Sequence, residues 1–179
     1  MGGLWAERAA HYLITALQDT VAPVRAAAAA ALGNVGNRRA GAALIQALQD
    51  DAADVRAQAA EALGKVGNQR AVLPLQTLLD DTMPTSTNQV AVNVAVALAL
   101  GALGDQRAIA PLIRLLQTGS PDARWAAASA LGDLGDARAV FALTEAQQYD
   151  SEEVSWGGAL VADAATAALA QIQAQPSRS

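Results

Sequence analysis

The sequence predicts an all-α solenoid of stacked helix pairs, because one nine-residue pattern recurs along the chain. The pattern is Leu-Gly-x-(Val/Leu)-Gly-(Asn/Asp)-x-Arg-Ala, and its copies begin at Leu32, Leu63, Leu100 and Leu131. Their first glycines are separated by 31, 37 and 31 residues. Repeats of this length typically form helix pairs that bury their apolar faces against neighbouring pairs. Since 53% of the 179 residues are hydrophobic, the chain can also bury a large continuous core.

Residues 52–81 show most clearly why one repeat should fold as two helices. Asp54 is placed to cap a first helix, called the A helix. Gly67 then supplies a residue that tolerates positive φ at a helix end, and Asn68 can cap a second helix, called the B helix. In both helices the apolar positions recur at three- and four-residue spacing, which makes one apolar stripe per helix. These positions are Val55, Ala59, Leu63 and Val66 in the A helix and Ala71, Leu75, Leu78 and Leu79 in the B helix.

Sliding this unit along the chain predicts one repeat domain over residues 1–173. Residues 8–19 align without gaps onto 39–50, so the chain should open with a lone B helix at 4–19. Residues 169–172 match 63–66, which predicts a terminal A helix at about 159–173. Residues 174–179 have the composition of a mobile tail. Between the two lone helices we expect four A–B repeats, at about 20–50, 51–81, 82–118 and 119–149.

Two links between repeats, at 80–88 and 150–158, are longer than the others. In a solenoid, insertions at equivalent points emerge on one face and often bind partners, although tolerated variation is the simpler interpretation. The second link carries Trp156 among acidic residues and is the better candidate. The third A helix is apolar on more than one side, at Val94 and Leu98, as is the fourth at Trp125. Either the preceding loop folds over the third repeat, or this repeat offers a docking patch.

The charge pattern argues against a nucleic-acid partner. The net charge is −5, and the isoelectric point is about 4.7. Eight of the twelve Lys and Arg residues fall in two repeated columns, which leaves few free cations for phosphates. The columns are Arg8, Arg39, Arg70, Arg107 and Arg138, and Arg25, Arg56 and Arg124.

The sequence does not suggest a membrane protein. The longest apolar stretch, residues 90–103, is too short for the roughly 20 residues that cross a bilayer. The amino terminus lacks the charged and apolar regions of a secretory signal. We therefore expect no membrane partner and a cytoplasmic location.

The unit resembles the HEAT-like repeats first grouped with phycobilin lyase subunits, and the resemblance covers nearly the whole chain. It implies that B helices line a concave side and A helices a convex side. The fold class that we predict is an all-α, right-handed α-solenoid of about five HEAT-like helix-pair units. Nothing matches a catalytic motif of those lyases, so no catalytic residue is transferred. The residues that carry the resemblance are Asp54, Val55, Arg56, Ala59, Ala60, Ala62, Leu63, Gly64, Gly67, Arg70, Ala71, Pro74, Leu75, Leu78 and Leu79.

The first arginine column is predicted to be structural. Its members after Arg8 lie in the first turn of a B helix, where the helix dipole disfavours a cation, so each should need a carboxylate or carbonyl acceptor. We expect a ladder between repeats, because aspartates recur near the repeat boundaries. The candidate acceptors are Asp50, Asp81, and Asp54 or Asp122.

The residues offer little for catalysis, metal binding or a cofactor. His11 is the one histidine and there is no cysteine, so we expect no metal site. The chain has no dinucleotide or nucleotide loop and no serine-nucleophile motif. Aromatic residues make up 3% of the chain, too few to line a haem or bilin cavity unaided. We therefore predict no catalytic residue, no cofactor and no enzyme activity.

The B helices instead contain columns that vary while the core columns stay fixed. Leu73 and Phe141 beside Arg114 and Glu145 would make an apolar patch with a polar frame, which suits protein recognition. The alternative is that these apolar side chains lie in grooves between helices. The full set of partner-binding candidates is His11, Gln46, Leu73, Thr77, Arg114, Phe141, Glu145 and Trp156.

The function predicted from these observations is a non-enzymatic scaffold or adaptor that binds a protein on the concave helix-B face. A second hypothesis, from the resemblance, is a lyase-like subunit or chaperone that acts on phycobiliproteins. A third is a homo-oligomer formed by end stacking, because both terminal helices lack a pair partner.

Overall fold

The predicted all-α solenoid is confirmed. The computed structural model describes residues 2–87, 89–155 and 158–174, with side chains from Glu7 onward. Over these residues the regular structure is helical, apart from two isolated β-bridges. The helices are α1 (Gly2–Ala16), α2 (Ala22–Val35), α3 (Gly41–Ala47), α4 (Ala53–Val66), α5 (Val72–Gln76), α6 (Val92–Leu103), α7 (Ile109–Thr118), α8 (Pro121–Leu134), α9 (Val140–Tyr149) and α10 (Val161–Ala174).

The ten helices form two layers. The A helices α2, α4, α6, α8 and α10 pack each against the next along the stack. The B helices α1, α3, α5, α7 and α9 make the other layer, and a short 3₁₀ turn precedes each of the last four. Among the described residues, α1 is thus a B helix with no A helix before it, and α10 is an A helix with no B helix after it. We number the four complete A–B pairs as units 1 to 4.

The leucine and the first glycine of each pattern build the contact between neighbouring A helices. The four leucines are fully buried in one continuous core. At Gly101 the next A helix comes so close that a Cβ atom would lie 2.7 Å from the Cα atom of Ala130. The same approach recurs at Gly33, Gly64 and Gly132, which face Ala62, Ala99 and Ala168. Glycine against alanine therefore sets the spacing of the A layer.

The turn from A helix to B helix follows the predicted chemistry. Gly67 ends α4 with a left-handed φ of 72°, and the Asn68 side chain accepts the backbone N–H of Arg70 at 3.1 Å. The predicted cap at the start of α4 is wrong. The helix begins after Ala52, and Asp54 lies inside its first turn, where its carboxylate accepts the backbone N–H of Ser86 at 3.1 Å. Asp54 thus holds the following loop instead of its own helix.

The described parts of the two long links share a bridge and a hydrogen bond at positions 69 residues apart. Pro84 bridges Ala91 in the first loop, and Glu153 bridges Leu160 in the second. The backbone N–H of Ser155 donates to Asp122 as that of Ser86 does to Asp54. Units 2 and 4 are therefore followed by similar loops, so units 1 and 2 together correspond to units 3 and 4 together.

The first loop is held to both neighbouring A helices, since Asp54 of α4 accepts from Ser86 and the backbone N–H of Val92 at the start of α6 donates to Met83. Val90 and Ala91 pack against the core, and Val94 is buried. Trp125 is half-buried against the same core, whereas Leu98 stays 38% exposed. Val94 is thus a core residue and not part of an exposed docking patch, whereas Leu98 remains exposed.

Candidate protein-binding surface

The variable helix-B columns lie on the surface. The side chains of His11, Gln46, Thr77, Arg114 and Glu145 are all exposed. Leu73 is 57% exposed and Phe141 is 73% exposed. The alternative in which Leu73 and Phe141 lie in inter-helix grooves is therefore wrong. They are available to a partner because the stripe that packs against the A layer is carried by other residues of each B helix.

Tyr149 extends the exposed apolar surface on α9. It is 81% exposed and stands eight residues after Phe141, with Glu145 midway between them. Residues at this spacing share one face of a helix. The sequence analysis missed Tyr149, although its spacing from Phe141 was a usable signal. We call Leu73, Arg114, Phe141, Glu145 and Tyr149 the helix-B patch.

A cleft of about 490 Å³ borders this patch. The cleft is lined by Glu145 and Tyr149 of α9, Gln117 of α7 and Arg124 of α8. Exposed aromatic rings beside a polar-lined cleft are the combination found at the centres of protein interfaces. The patch therefore has the composition of a recognition surface.

The remaining candidates lie elsewhere on the B layer, except that Thr77 stands one helical turn after Leu73. His11 stands on α1, where its ring meets Tyr12 edge-on at 6.0 Å between ring centroids. Gln46 is on α3 and Thr77 follows α5. The Thr77 hydroxyl donates to the carbonyl of Pro74 at 2.7 Å. Trp156 falls outside the described residues.

The first arginine column does not use the acceptors predicted for it. Arg107 and Arg138 bind the aspartates two residues earlier, Asp105 at 2.7 Å and Asp136 at 2.8 Å. Arg39 pairs with Glu7 of α1 at 2.9 Å, whereas Arg70 has no ion pair in the described part of the chain. The acceptor assignment to Asp50, Asp81 and Asp54 or Asp122 is therefore wrong. The cap position already supplies a carboxylate at bonding distance in units 3 and 4, so those arginines do not reach the repeat boundary.

The ladder between repeats is instead formed by the second arginine column. Arg56 of α4 binds Asp81, at the end of its own unit, with 2.7 Å between Nε and Oδ2. The same guanidinium donates to the carbonyl of Asp50, at the end of the preceding unit, at 2.8 Å. Each such arginine joins the ends of two successive B helices. The equivalent pairs are Arg25 with Asp50 and Arg124 with Asp150, both at 2.7 Å.

Unit 3 lacks this rung. Asn93 occupies the arginine position of α6, and no aspartate follows α7 at Thr118. Asn93 is 2% exposed, and its Oδ1 has no hydrogen-bond partner among the described residues. Both charges are thus absent together, which avoids leaving one of them buried without a partner.

The arginine ladder makes stability sensitive to acid. The Arg25 guanidinium lowers the pKa of Asp50 from its ordinary value of 3.8 to about 2. A carboxyl with a lowered folded-state pKa stabilises the fold above its unfolded pKa, and this contribution is lost as pH falls. We expect the stability difference between wild type and Asp50→Asn to be largest above pH 5 and to shrink between about pH 4 and pH 2. Urea unfolding at several pH values measures it, and a difference that does not vary with pH would contradict this assignment.

The described residues contain no group of three or more His, Cys, Asp or Glu side chains placed to hold a metal ion. None of the helices in these ranges has both the length and the apolar character of a bilayer span.

Comparison with known proteins agrees with this architecture. The model of the family described as HEAT repeats matches residues 10–91 and again 85–170. Comparison with curated proteins gives no match.

Solved structures with the same fold include natural and designed proteins. The complex of CpcE and CpcF of phycocyanin lyase from Nostoc sp. PCC7120 is 23% identical, with a TM-score of 0.53, over 95% of this chain and 85% of that chain. Computationally designed armadillo repeat proteins for modular peptide recognition are 24% identical, with a TM-score of 0.54, over 89% and 80%. A designed armadillo repeat protein in complex with the peptide (KR)4 is 22% identical, with a TM-score of 0.60, over 89% and 80%. At these identities the likeness shows the fold alone.

Proposed function

The chain belongs to the HEAT-repeat family, and from this premise we propose that it is a non-enzymatic adaptor that binds a partner protein through the helix-B patch. The observation that carries the proposal is the exposure of Phe141, Tyr149 and Leu73. Most large apolar side chains of this chain are buried, and an exposed aromatic pair framed by polar groups is typical of interface centres.

The solved relatives support a protein or peptide as the partner. A designed armadillo repeat protein of this fold binds the peptide (KR)4, and CpcE and CpcF form a complex with each other. In HEAT-like arrays the B helices line the concave side, and this resemblance supports the same arrangement here. We therefore propose the concave side as the face that a partner enters.

Affinity capture from the lysate of the source cell tests this proposal. The bait is wild type beside Leu73→Asp/Phe141→Asp, with bound proteins quantified by mass spectrometry. The matched control is Val24→Asp/Leu98→Asp, which makes the same change at exposed apolar residues of the A layer. We expect a partner that the helix-B variant loses and the control variant keeps. Equal capture by all three baits would contradict the proposal.

The same experiment tests the second hypothesis, that this chain is a lyase-like subunit or chaperone for phycobiliproteins. Its support is the fold that this chain shares with the complex of CpcE and CpcF. It requires a captured protein that carries a bilin, so the eluate is also scanned for visible absorbance. A colourless partner that depends on Phe141 favours the adaptor, and a coloured one favours the accessory subunit.

A further inference from the structure

A cleft lined by three arginines lies between the A–B turns of units 1 and 2, whereas Phe141 and Tyr149 of the helix-B patch are in unit 4. Arg38, Arg39 and Arg70 line this cleft of about 800 Å³, together with Ala42, Ile45 and the turn at residues 67–69. All three arginines are exposed. We call it the arginine cleft.

The arginine cleft is positive because the helix caps of units 1 and 2 are neutral. In units 3 and 4 the cap residue is aspartate, and it binds its arginine through both oxygens. Arg107 Nε and Arg138 Nε each bind one oxygen, at 3.0 and 2.8 Å, and the second guanidinium nitrogen binds the other oxygen. In units 1 and 2 the cap residue is Asn37 or Asn68, whose amide oxygen accepts the backbone N–H of the arginine. An amide carries no charge, so the cap residue does not balance the positive charge of the arginine.

Among the described residues, one of these three arginines forms an ion pair with a carboxylate. Glu7 binds Arg39 at 2.9 Å, and the two side chains are 54% and 76% exposed. An ion pair this exposed is worth little and can be displaced. It also shows which group fits the site, namely a carboxylate on a flexible side chain.

A glycine makes room for the Asn68 side chain, which lines the cleft. Asn68 places its amide nitrogen where a Cβ of Gly41 would stand, so a larger residue there would displace the Asn68 side chain. Units 2, 3 and 4 have Val72, Ile109 and Val140 at the position of Gly41. The space between units 1 and 2 is therefore a property of this one junction.

We propose that the arginine cleft binds a carboxylate-rich segment of the partner protein. Guanidinium groups bind carboxylates through two parallel hydrogen bonds, and Ala42 and Ile45 provide an apolar wall for the methylene groups of glutamate. A nucleic acid fits less well, because three arginines in one cleft form no extended row of cations that could follow a phosphate backbone. The inference rests on the proposed function, since it names the chemistry of one part of the partner.

Fluorescence anisotropy with a fluorescein-labelled octaglutamate peptide tests the proposal without an identified partner. At roughly 20 mM salt, where charge interactions reach furthest, we expect saturable binding. Arg38→Gln/Arg70→Gln should weaken it by about tenfold or more, because two of the three guanidinium groups are removed. Asn68→Asp should also weaken it, since an aspartate there can bind Arg70 as Asp105 binds Arg107 while still capping the helix.

The matched control is Arg107→Gln/Arg138→Gln, which makes the same charge change in units 3 and 4. We expect its affinity to stay within about twofold of wild type, because Asp105 and Asp136 already neutralise those arginines. Equal losses in the two double variants, or no binding by wild type, would overturn the proposal. Inorganic phosphate is run as a competitor, and displacement by phosphate as complete as by unlabelled octaglutamate would reassign the cleft to small anions.

Phe141→Asp in the same assay separates this inference from the proposed function. We expect its octaglutamate affinity to be unchanged, because α9 lies two units away from the cleft. Octaglutamate binding that depends on Phe141 and not on Arg38 and Arg70 would show that the helix-B patch binds the acidic peptide. That result would overturn the proposal for the arginine cleft.

Discussion

Replacing Asp81 with alanine should lower the free energy of unfolding by about 3 kcal/mol, because it leaves the Arg56 guanidinium without its counter-ion in a mostly buried position. The two side chains are 13% and 12% exposed, so water can solvate the abandoned charge only poorly. Asp81 also accepts the backbone N–H of Met83, and this bond is lost as well. Urea unfolding followed by circular dichroism measures the effect.

Two comparisons show whether the buried charge is the cause. Glu7→Ala breaks the exposed pair with Arg39 and should cost less than about 1 kcal/mol. Arg56→Met/Asp81→Ala removes both charges and should be less destabilised than Asp81→Ala alone, since no charge is then left unpaired. A double variant as unstable as the sum of its single changes would show no coupling between Arg56 and Asp81, which would contradict a stranded charge as the cause.

Replacing Gly101 with valine should destabilise the fold by roughly 3 kcal/mol, at the upper end of what overpacking costs. The obstacle is the backbone and Cβ of Ala130, at 2.7 and 2.9 Å from the position of a Cβ. A backbone cannot rotate away as a side chain can, so α6 and α8 would have to separate. The separation would also disturb Leu100, which is fully buried beside it.

Ala102→Val is the matched control for Gly101→Val, because it adds a branched side chain to the next residue of the same helix at an exposed position. It should change stability by less than about 0.5 kcal/mol. If the two substitutions had equal effects, the close approach of the A helices would not limit the size of residue 101.

Periodicity was sufficient to predict the all-α solenoid of helix pairs. Gly67 and Asn68 have the turn geometry that their types predict, because positive φ and side-chain capping are local properties. The exposed helix-B residues were also predictable, since Phe141 and Leu73 stand where other units have alanine.

Ion-pair partners were not predictable in the same way. Asp50 and Asp81 lie close to members of both arginine columns along the chain. Their pairing with Arg25 and Arg56 depends on which helix faces the repeat boundary. The cap predicted at Asp54 was wrong for a related reason. The Asp54 carboxylate accepts a hydrogen bond from the backbone N–H of Ser86, which lies 32 residues away. The arginine cleft likewise depends on the room that Gly41 gives to Asn68, a contact between units.

The helix-B patch is the central claim, and the affinity of the captured partner for Phe141→Ala tests it most directly. Isothermal titration calorimetry compares wild type, Phe141→Ala and the A-layer control Leu98→Ala, after equal melting temperatures are confirmed. We expect Phe141→Ala to raise Kd by about 5- to 30-fold, which corresponds to roughly 1 to 2 kcal/mol for a central contact, and Leu98→Ala to leave Kd unchanged. An unchanged Kd for Phe141→Ala, or a larger loss for Leu98→Ala, would contradict binding through the B helices.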